Sequence, residues 1–460
     1  MSEKQRFAFR NRHRKTFMTS AQTAGTLDAS NSAPIAAEPV TLPPLQGTAL
    51  AMLTVATALA TFMEVLDTTI ANVAVPTISG SMGVSANEGT SIISSYSLAA
   101  AIAVPLTGWL SRRVGEVRLL ILSVLLFTLF SVLCGFATNY NMLVFFRLMQ
   151  GLVSGPMVPL GQSIMMNSYP PHKRGMAMAF WAMTVVIAPV VGPVMGGYIT
   201  ENFSWPWIFY INVPIGIFCA YSIKTLLKGR DTPTSSDPID VIGLVFLVLG
   251  VGSLQYMLEH ANDLGWFQSK EVVTLTVMAV VGLTFLAIWE WYDKHPVVDL
   301  KLIKNRNFTV GTILQTVGFT IFFGNMVVMP LWLQTVLGYD SFHSGLAVAP
   351  VAMFSIFFSP VIGMNMHKVD LRWLVLTGFG LFAFGAWYSS LLSPQSTIGE
   401  IMWGRFLFGL GIPFFFIPLS GIVMQGMEGE ELTAAAGFSN FLRTLGGAIG
   451  TAVFVTVWSR

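Results

Sequence analysis

The stretch LDTTIANVAVP, residues 66–76, lies late in the first long apolar segment of the chain. It contains Asp67, and Glu64 lies one helical turn earlier, so a helix places both carboxylates on one face. An ionisable side chain at the centre of a membrane-spanning helix costs about 2.5–3.5 kcal/mol and is retained where it faces a cavity or a partner. The pattern therefore predicts a functional Asp67, with Glu64 as a second candidate. The alternative is a carboxylate near the outer edge of the span that is simply hydrated.

The composition of the chain is that of a membrane protein. Of its 460 residues, 53% are hydrophobic and only 10% are charged, whereas charged residues make up about 25% of a soluble domain. We therefore expect an all-α membrane protein, because helices satisfy their backbone polar groups internally. Cys134 and Cys219 fall in separate apolar segments and predict neither a disulfide nor a metal site. The sequence shows no phosphate-binding loop, nucleophile elbow or histidine cluster, so we expect no enzyme, no cofactor, no metal and no nucleic-acid partner.

Residues 1–45 are expected to form a cytoplasmic, disordered tail. Six lysines and arginines precede residue 16, and residues 19–44 are rich in alanine, serine, threonine and proline. Such a composition buries too little apolar surface to fold alone. The first apolar run begins too late for a signal peptide. The basic arm either contacts anionic lipid or remains an unstructured tail.

Thirteen apolar segments follow the tail, each close to the roughly 20 residues that cross a bilayer as a helix. Twenty of the 25 lysines and arginines fall in the tail and in the loops on its side, against only Lys270 in the opposite loops. The positive-inside rule therefore predicts a multi-pass protein with a cytoplasmic N-terminus. The predicted spans lie near 50–76, 90–110, 117–137, 142–166, 177–199, 207–227, 239–259, 272–292, 308–331, 343–364, 371–392, 398–424 and 437–458.

An internal repeat indicates two related halves. Gly108 near the end of span 2 is matched by Gly363 at the end of span 10, 255 residues later. Arg147 in span 4 is matched by Arg405 in span 12, 258 residues later. The shift of eight spans makes spans 7 and 8 an insertion between the halves. Duplicated bundles around a site at mid-membrane are typical of secondary transporters.

Several segments together resemble the fourteen-span drug:proton antiporters of the major facilitator superfamily. The resemblance extends from the first span to the last and is most specific at the entry to span 6. The loop between spans 2 and 3 departs from the family, because Ser111 stands where an acidic residue is usual. The matching segments are residues 66–76, 108–118, 147–151, 189–197, 205–216, 330–339 and 437–450.

The resemblance implies the major facilitator superfamily fold, with two six-helix bundles and two inserted helices. It places the N-terminal bundle at residues 46–230, the inserted pair at 231–296 and the C-terminal bundle at 297–460. The family has fourteen spans and thirteen are present in this chain, so a last helix is expected beyond residue 460.

The resemblance also implies roles for particular residues. Asp67, Glu64 and Arg147 are expected in proton coupling and substrate binding. The alternative for Arg147 is a snorkelling side chain near the outer interface. The inner gate is expected at Gly108, Arg112, Arg113, Gly115 and Arg118. The missing acid at Ser111 puts a charge latch from that position in question, and the neighbouring Arg112, Arg113, Glu116 and Arg118 are the residues left to lock the gate. The antiporter motif of span 5 is Gly192, Pro193, Gly196 and Gly197, which let the helix bend and approach its neighbour. Gln255, Gln315, Asn325, Arg405 and Arg443 are candidates for polar contacts to a cavity, and for the amides among them a packing hydrogen bond between helices is the equal alternative.

The function implied is proton-coupled multidrug efflux of hydrophobic toxic compounds across the bacterial inner membrane by alternating access. The implied partners are small hydrophobic drugs, protons and the lipid bilayer, together with a periplasmic adaptor of the EmrA type and a TolC-like outer-membrane channel. One alternative is an exporter dedicated to a single metabolite, such as a siderophore or a fatty acid. A second is a membrane receptor that transports nothing, which the charged residues within the spans argue against.

Overall fold

The computed structural model describes residues 45–459 apart from 236, 237 and 239. The predicted tail therefore lies almost entirely outside the described residues. The regular secondary structure of the described part is helical throughout. Its twelve long apolar helices, with one bent helix pair counted as a further span, confirm the thirteen predicted spans.

The spans begin and end close to their predicted positions. Spans 1–6 are Gly47–Met82, the bent pair Ser91–Ala103 and Thr107–Val114, Glu116–Gly135, Tyr140–Ser168, Pro171–Asn202 and Trp207–Leu226. Spans 7–13 are Val241–His260, Lys270–Tyr292, Arg306–Thr335, Phe342–Asn365, Leu371–Ser390, Ile398–Val423 and Gly429–Trp458.

Local sequence explains where the helices start, stop and bend. The two halves of span 2 meet at an angle of 64°, and the break contains Pro105, which lacks a backbone donor. Thr397 and Glu400 form a capping box at the start of span 12. Span 1 continues through Pro76 to Met82, six residues beyond the prediction, because a proline within a membrane helix is tolerated where neighbouring helices satisfy the freed backbone groups.

Glycines allow the halves to approach closely at two equivalent places. A Cβ at Gly108 of span 2 would lie 3.0 Å from Ala434 Cα in span 13. A Cβ at Gly363 of span 10 would lie 2.7 Å from both the Gly175 carbonyl oxygen and Ala179 Cβ in span 5. Spans 2 and 10, and spans 5 and 13, are the pairs that the sequence repeat relates. The sequence repeat therefore relates the two helix crossings to each other.

We expect Gly363→Val to destabilise the protein by about 1–3 kcal/mol, because the added carbons meet backbone atoms of span 5 that cannot move aside cheaply. Thermal unfolding of the purified protein in detergent measures this loss. Gly380→Val is the matched control, since a Cβ at Gly380 meets nothing within 4 Å. Equal unfolding midpoints for the two variants would contradict the close crossing.

Candidate functional site

A buried ion pair joins span 1 to span 4. Arg147 Nη1 lies 2.5 Å from Asp67 Oδ2, and both side chains are fully buried. A lone charge at this depth is costly, whereas a hydrogen-bonded pair of opposite charges is tolerated. The structure thus places two of the predicted coupling residues in direct contact, and neither carboxylate hydration nor snorkelling describes them.

Two amides complete the shell of hydrogen bonds around Asp67. Gln150 Nε2 donates to Asp67 Oδ1 over 3.3 Å and Asn212 Nδ2 donates to the same oxygen over 3.1 Å. Asn212 also donates to Ser131 Oγ at 3.0 Å. Sequence reasoning recognised the segment that contains Asn212, at the entry to span 6, but gave the residue no role. Its presence in a motif otherwise made of apolar and aromatic residues was the available signal.

Aromatic rings hold the Arg147 guanidinium in place. Its Cζ lies 4.3 Å from the centre of the Tyr96 ring and 5.6 Å from that of Phe209. Its Nε donates to the carbonyl oxygen of Ile92 at 3.2 Å. Cation–π contacts of this kind stabilise a desolvated guanidinium, so Arg147 is held by more than its charge partner.

The second half repeats the arrangement without the acid. Arg405 Nη1 donates to Asn325 Oδ1 over 2.5 Å, and the two residues are 80 positions apart, as are Asp67 and Arg147. Arg405 also donates to Ser389 Oγ and is fully buried. None of the ion pairs between described residues includes Arg405. The repeat therefore places a neutral amide where the first half has a carboxylate.

A cavity of about 470 Å³ lies beside the ion pair, between spans 1, 2, 4, 5, 7, 9 and 13. Of the predicted cavity residues, Gln255 and Arg443 line it, as does Glu64. The other three lie elsewhere. Gln315 donates to Ser420 Oγ at 3.3 Å, and Asn325 and Arg405 are bonded to each other. These polar groups join helices, which is the other common use of such residues in a membrane.

Opposite charges face the cavity from the two halves. Glu64 comes from span 1 and Arg443 from span 13, and the two interact electrostatically. The Arg443 guanidinium lies between the rings of Trp181 and Phe319, 4.9 and 4.5 Å from their centres. Oxygen Oε2 of Glu64 and Nη1 of Arg443 are buried without a hydrogen-bond partner. Both groups are therefore available to a polar ligand.

Glu259 of span 7 is a cavity residue that sequence reasoning missed. Gln255 Nε2 donates to its Oε1 over 2.7 Å, while its Oε2 is buried without a partner. The sequence signal was a carboxylate one helical turn after Gln255 in an apolar segment. Its position near the predicted end of the span at residue 259 concealed it, because a charge there is easily hydrated. The inserted pair thus contributes an acid to the cavity.

The remaining wall of the cavity is largely apolar. Phe319 and Phe323 line it from span 9, and Tyr96 lines it from span 2. Ligand pockets commonly measure about 300–1,000 Å³ and combine apolar walls with a few polar groups. Asp67 is absent from the lining, and Tyr96 lies between the cavity and Arg147. The Tyr96 ring therefore contacts both the cavity and the guanidinium of the ion pair.

The span 5 motif packs against span 1 immediately beyond Asp67. A Cβ at Gly192 would lie 2.1 Å from Thr69 Oγ1, and one at Gly196 would lie 2.9 Å from the Ile70 carbonyl oxygen. Gly197 differs from the expectation, since a Cβ there meets nothing within 4 Å. Pro193 lies within a continuous helix and lines a separate small cavity of about 110 Å³. Close approach therefore depends on two of the three glycines.

Gly115 at the predicted inner gate requires glycine for two reasons. Its φ is +94°, which disfavours any side chain, and a Cβ would lie 2.5 Å from Asp231 Oδ1. Asp231 accepts from the backbone nitrogen of Val117 at 2.9 Å and pairs with Arg118 Nε at 3.3 Å. A carboxylate at a helix N-terminus satisfies free amides and the helix dipole. The linker after span 6 thus caps span 3.

The other gate residues divide between two tasks. Arg112 Nη2 donates to the carbonyl oxygen of Pro296 at 3.0 Å, in the linker after span 8. The Arg113 guanidinium lies 5.9 Å from the centre of the Trp109 ring. Arg112 therefore attaches the end of span 2 to the inserted segment, whereas Arg113 packs on a ring of its own helix.

Contact with the second half comes from Glu116 instead. Thr433 of span 13 donates to Glu116 Oε1, and Ser163 donates to Oε2 at 3.4 Å. Ser111, which replaces the acid usual in the resembled family, donates only to the Gly108 carbonyl oxygen at 2.9 Å. The protein is therefore closed at this end. The cavity extends the other way, to Asn262 beyond span 7.

A duplicated helical bundle with a buried ion pair beside a mid-membrane cavity defines the class of secondary transporters. The family profile of the Major Facilitator Superfamily matches residues 57–451, and the chain belongs to this family of transporters. It is 47% identical over 418 residues to the multidrug export protein EmrB of Escherichia coli K12, covering 91% of this chain and 82% of that protein. The fatty acid resistance protein FarB of Neisseria gonorrhoeae is 48% identical with the same coverage. The predicted resemblance is thereby confirmed.

Solved structures agree on the fold. The human organic anion transporter MFSD10 matches with a TM-score of 0.60 at 14% identity, covering 90% of this chain and 94% of that chain. The proton:xylose symporter XylE matches with a TM-score of 0.59 at 14% identity, covering 89% of this chain and 88% of that chain. The predicted major facilitator fold is confirmed. Among the described residues, no group of three or more His, Cys, Asp or Glu is arranged to hold a metal ion.

We expect Arg147→Met to lower the free energy of unfolding by about 3–5 kcal/mol, because it strands the buried Asp67 charge. The double variant Asp67→Asn/Arg147→Met should recover more than half of this loss. Denaturant titration in detergent micelles measures both. Arg405→Met is the matched control at the equivalent position, and it should cost less because its partner Asn325 is neutral. Equal losses for the two arginines would contradict the argument.

Proposed function

We propose that the chain is a proton-coupled multidrug efflux antiporter, exporting hydrophobic toxic compounds across the bacterial inner membrane. The observation that carries this proposal is the buried Asp67–Arg147 pair beside an apolar cavity containing Glu64, Glu259 and Arg443. EmrB relatives, named as multidrug export proteins, support it independently. In this proposal each ionisable group takes part in binding protons or substrate. A purely structural role would not explain why these groups are present. We propose no catalytic activity.

The coupling step follows from the geometry of the pair. A proton that binds Asp67 neutralises the carboxylate and removes most of its attraction for Arg147. The released guanidinium shifts against Tyr96, whose ring lies in the cavity wall. Occupancy of the cavity and protonation of Asp67 are thereby linked, since a change in either alters the position of the same ring. Glu64, at the cavity wall, is a second proton site in this proposal.

Alternating access requires two bodies that move against each other. We assign these to residues 46–230 and 297–460, with the inserted pair at 231–296 between them. The contacts of Gly108 with Ala434 and of Glu116 with Thr433 close the gate side, and these contacts must break to expose the cavity there. The charge distribution supports a cytoplasmic N-terminus, so the gate faces the cytoplasm.

Export through a two-membrane envelope needs further components. A hydrophobic compound released at the outer face of the inner membrane re-enters the lipid unless a conduit removes it. We therefore include in the proposal a periplasmic adaptor of the EmrA type and a TolC-like outer-membrane channel, as the sequence resemblance implies. They would receive substrate at the face to which the cavity extends, near Asn262.

A second candidate function is export of one metabolite, and a specific observation favours it. FarB, named as a fatty acid resistance protein, is as similar to this chain as EmrB is. The apolar cavity with Arg443 suits an alkyl chain with a carboxylate head, as well as it suits a lipophilic drug. A substrate profile restricted to fatty acids would favour this candidate.

We expect Asp67→Asn to reduce proton-gradient-driven efflux of a lipophilic fluorescent dye at least tenfold, because the amide cannot bind and release a proton. Glu64→Gln should have a smaller effect. Dye efflux from cells that carry the full-length protein, normalised to the amount in the membrane, measures both. Glu271→Gln, at an exposed position at the start of span 8, is the control and should match the wild type.

The same experiment separates the candidates. If Asp67→Asn pumps as well as the wild type, coupling through this pair is wrong. If the wild type exports fatty acids but no dye, export of one metabolite replaces multidrug efflux as the better supported function.

We expect Glu259→Gln to change the charge preference of the cavity. Efflux of a cationic dye should fall about tenfold, the effect of losing one charge-assisted interaction of roughly 1.4 kcal/mol. Efflux of a neutral dye of similar size should stay within about twofold of the wild type, since the glutamine preserves shape and apolar contacts. Equal losses for both dyes would show that Glu259 acts on the structure of span 7 and not on the ligand.

A further inference from the structure

A second cavity, of about 280 Å³, lies on the gate side of the protein. Its walls come from the end of span 2, the linker before span 7 and the linker between spans 8 and 9. Four cationic side chains line this basic pocket, against a single carboxylate, that of Asp299. The four are Arg112, Arg113, Lys294 and Lys301. Such an excess of positive charge in one concave site indicates an anionic ligand.

The walls of the basic pocket are held by bonds that leave much of this charge available. The backbone nitrogen of Ser235 donates to the Arg112 carbonyl oxygen at 2.7 Å, and Arg112 donates to the Pro296 carbonyl oxygen at 3.0 Å. Within the described part of the chain, neither Lys294 nor Lys301 belongs to an ion pair. Both lysines are exposed. They can therefore converge on a ligand without breaking an existing salt bridge.

Aromatic side chains place the basic pocket at the depth of the lipid headgroups. Trp109 lines the pocket, and Trp289, Trp291 and Tyr292 are exposed at the neighbouring end of span 8. Lys304 lies 5.3 Å from the centre of the Trp291 ring. Exposed tryptophan and tyrosine with lysine at the end of a span are typical of a membrane interface.

We propose that the basic pocket binds the phosphate group of an anionic phospholipid. Guanidinium groups match phosphate oxygens with paired hydrogen bonds, and basic pockets between membrane helices bind anionic headgroups. The bound phosphate connects the end of span 2 to the linker after span 8. Because a ligand stabilises the state that it binds better, such a lipid favours the arrangement in which these two segments form one pocket.

The test measures retention of phosphatidylglycerol by the purified full chain in detergent, using native mass spectrometry, with phosphatidylcholine as the neutral comparison. We expect Lys294→Gln/Lys301→Gln to weaken retention of phosphatidylglycerol about 30-fold, from two lysines near an anionic surface. Lys224→Gln/Lys228→Gln is the matched control. It removes two exposed lysines from the same side of the protein, outside the pocket, and should change retention less than threefold.

Two results would overturn the proposal. One is equal retention of phosphatidylglycerol by the pocket and control variants. The other is displacement of the lipid by millimolar inorganic phosphate, which would assign the pocket to a soluble phosphate. The assay involves no transport step. The depth assigned to the pocket rests on the proposed orientation of the protein in the membrane. Lipid retention is measured without transport, so a failure of lipid binding and a failure of dye efflux are separate outcomes.

Discussion

The cost of burying charge in the membrane determines how the N-terminal half is built. Arg147 and Asp67 are tolerated without solvent exposure because they neutralise each other and because neighbouring side chains add polar and aromatic contacts. Gln150 and Asn212 donate hydrogen bonds to the Asp67 carboxylate, and the Tyr96 ring packs against the Arg147 guanidinium. These contacts come from spans 1, 2, 4 and 6. One electrostatic requirement thus holds four helices together, and three of them, spans 1, 2 and 4, also contribute walls to the cavity.

The second half shows what the same scaffold does without the acid. Asn325 and Arg405 reproduce the spacing of Asp67 and Arg147, yet the pair carries no group that titrates near neutral pH. The repeat therefore preserves a helix contact while confining the acid to one half. In the proposed mechanism, an acid at this position in one half only gives the two halves different responses to a proton. Two symmetrical halves moving about a shared cavity need such a difference for proton binding to favour one state.

The bilayer explains which features the sequence made predictable. The number of spans and the burial of Asp67 and Arg147 away from lipid follow from the cost of exposing polar groups to lipid, which every residue of a span experiences. The side of a helix on which a tolerated polar residue lies is set by packing, and hydropathy carries little information about it. For Gln315 and Asn325 the sequence therefore left a cavity contact and a packing hydrogen bond equally open, and the structure has the packing bond. Glu259 and Asn212 were given no role. The predicted close approach at Gly197 is wrong for the same reason, because the presence of a glycine does not show which neighbour it meets.

The inserted pair participates at both ends of the transport path. Toward the gate, Asp231 caps span 3 and Pro296 accepts from Arg112, so the linkers on either side of the insertion are bonded to the gate loop. Toward the other end, Glu259 of span 7 lines the cavity. A segment serving only as a spacer between bundles would have no need of an acid in the cavity or of bonds to the gate. Opening of the proposed gate either carries these linkers along with spans 2 and 3 or breaks their bonds to them, so the insertion takes part in the movement in the first case and opposes it in the second.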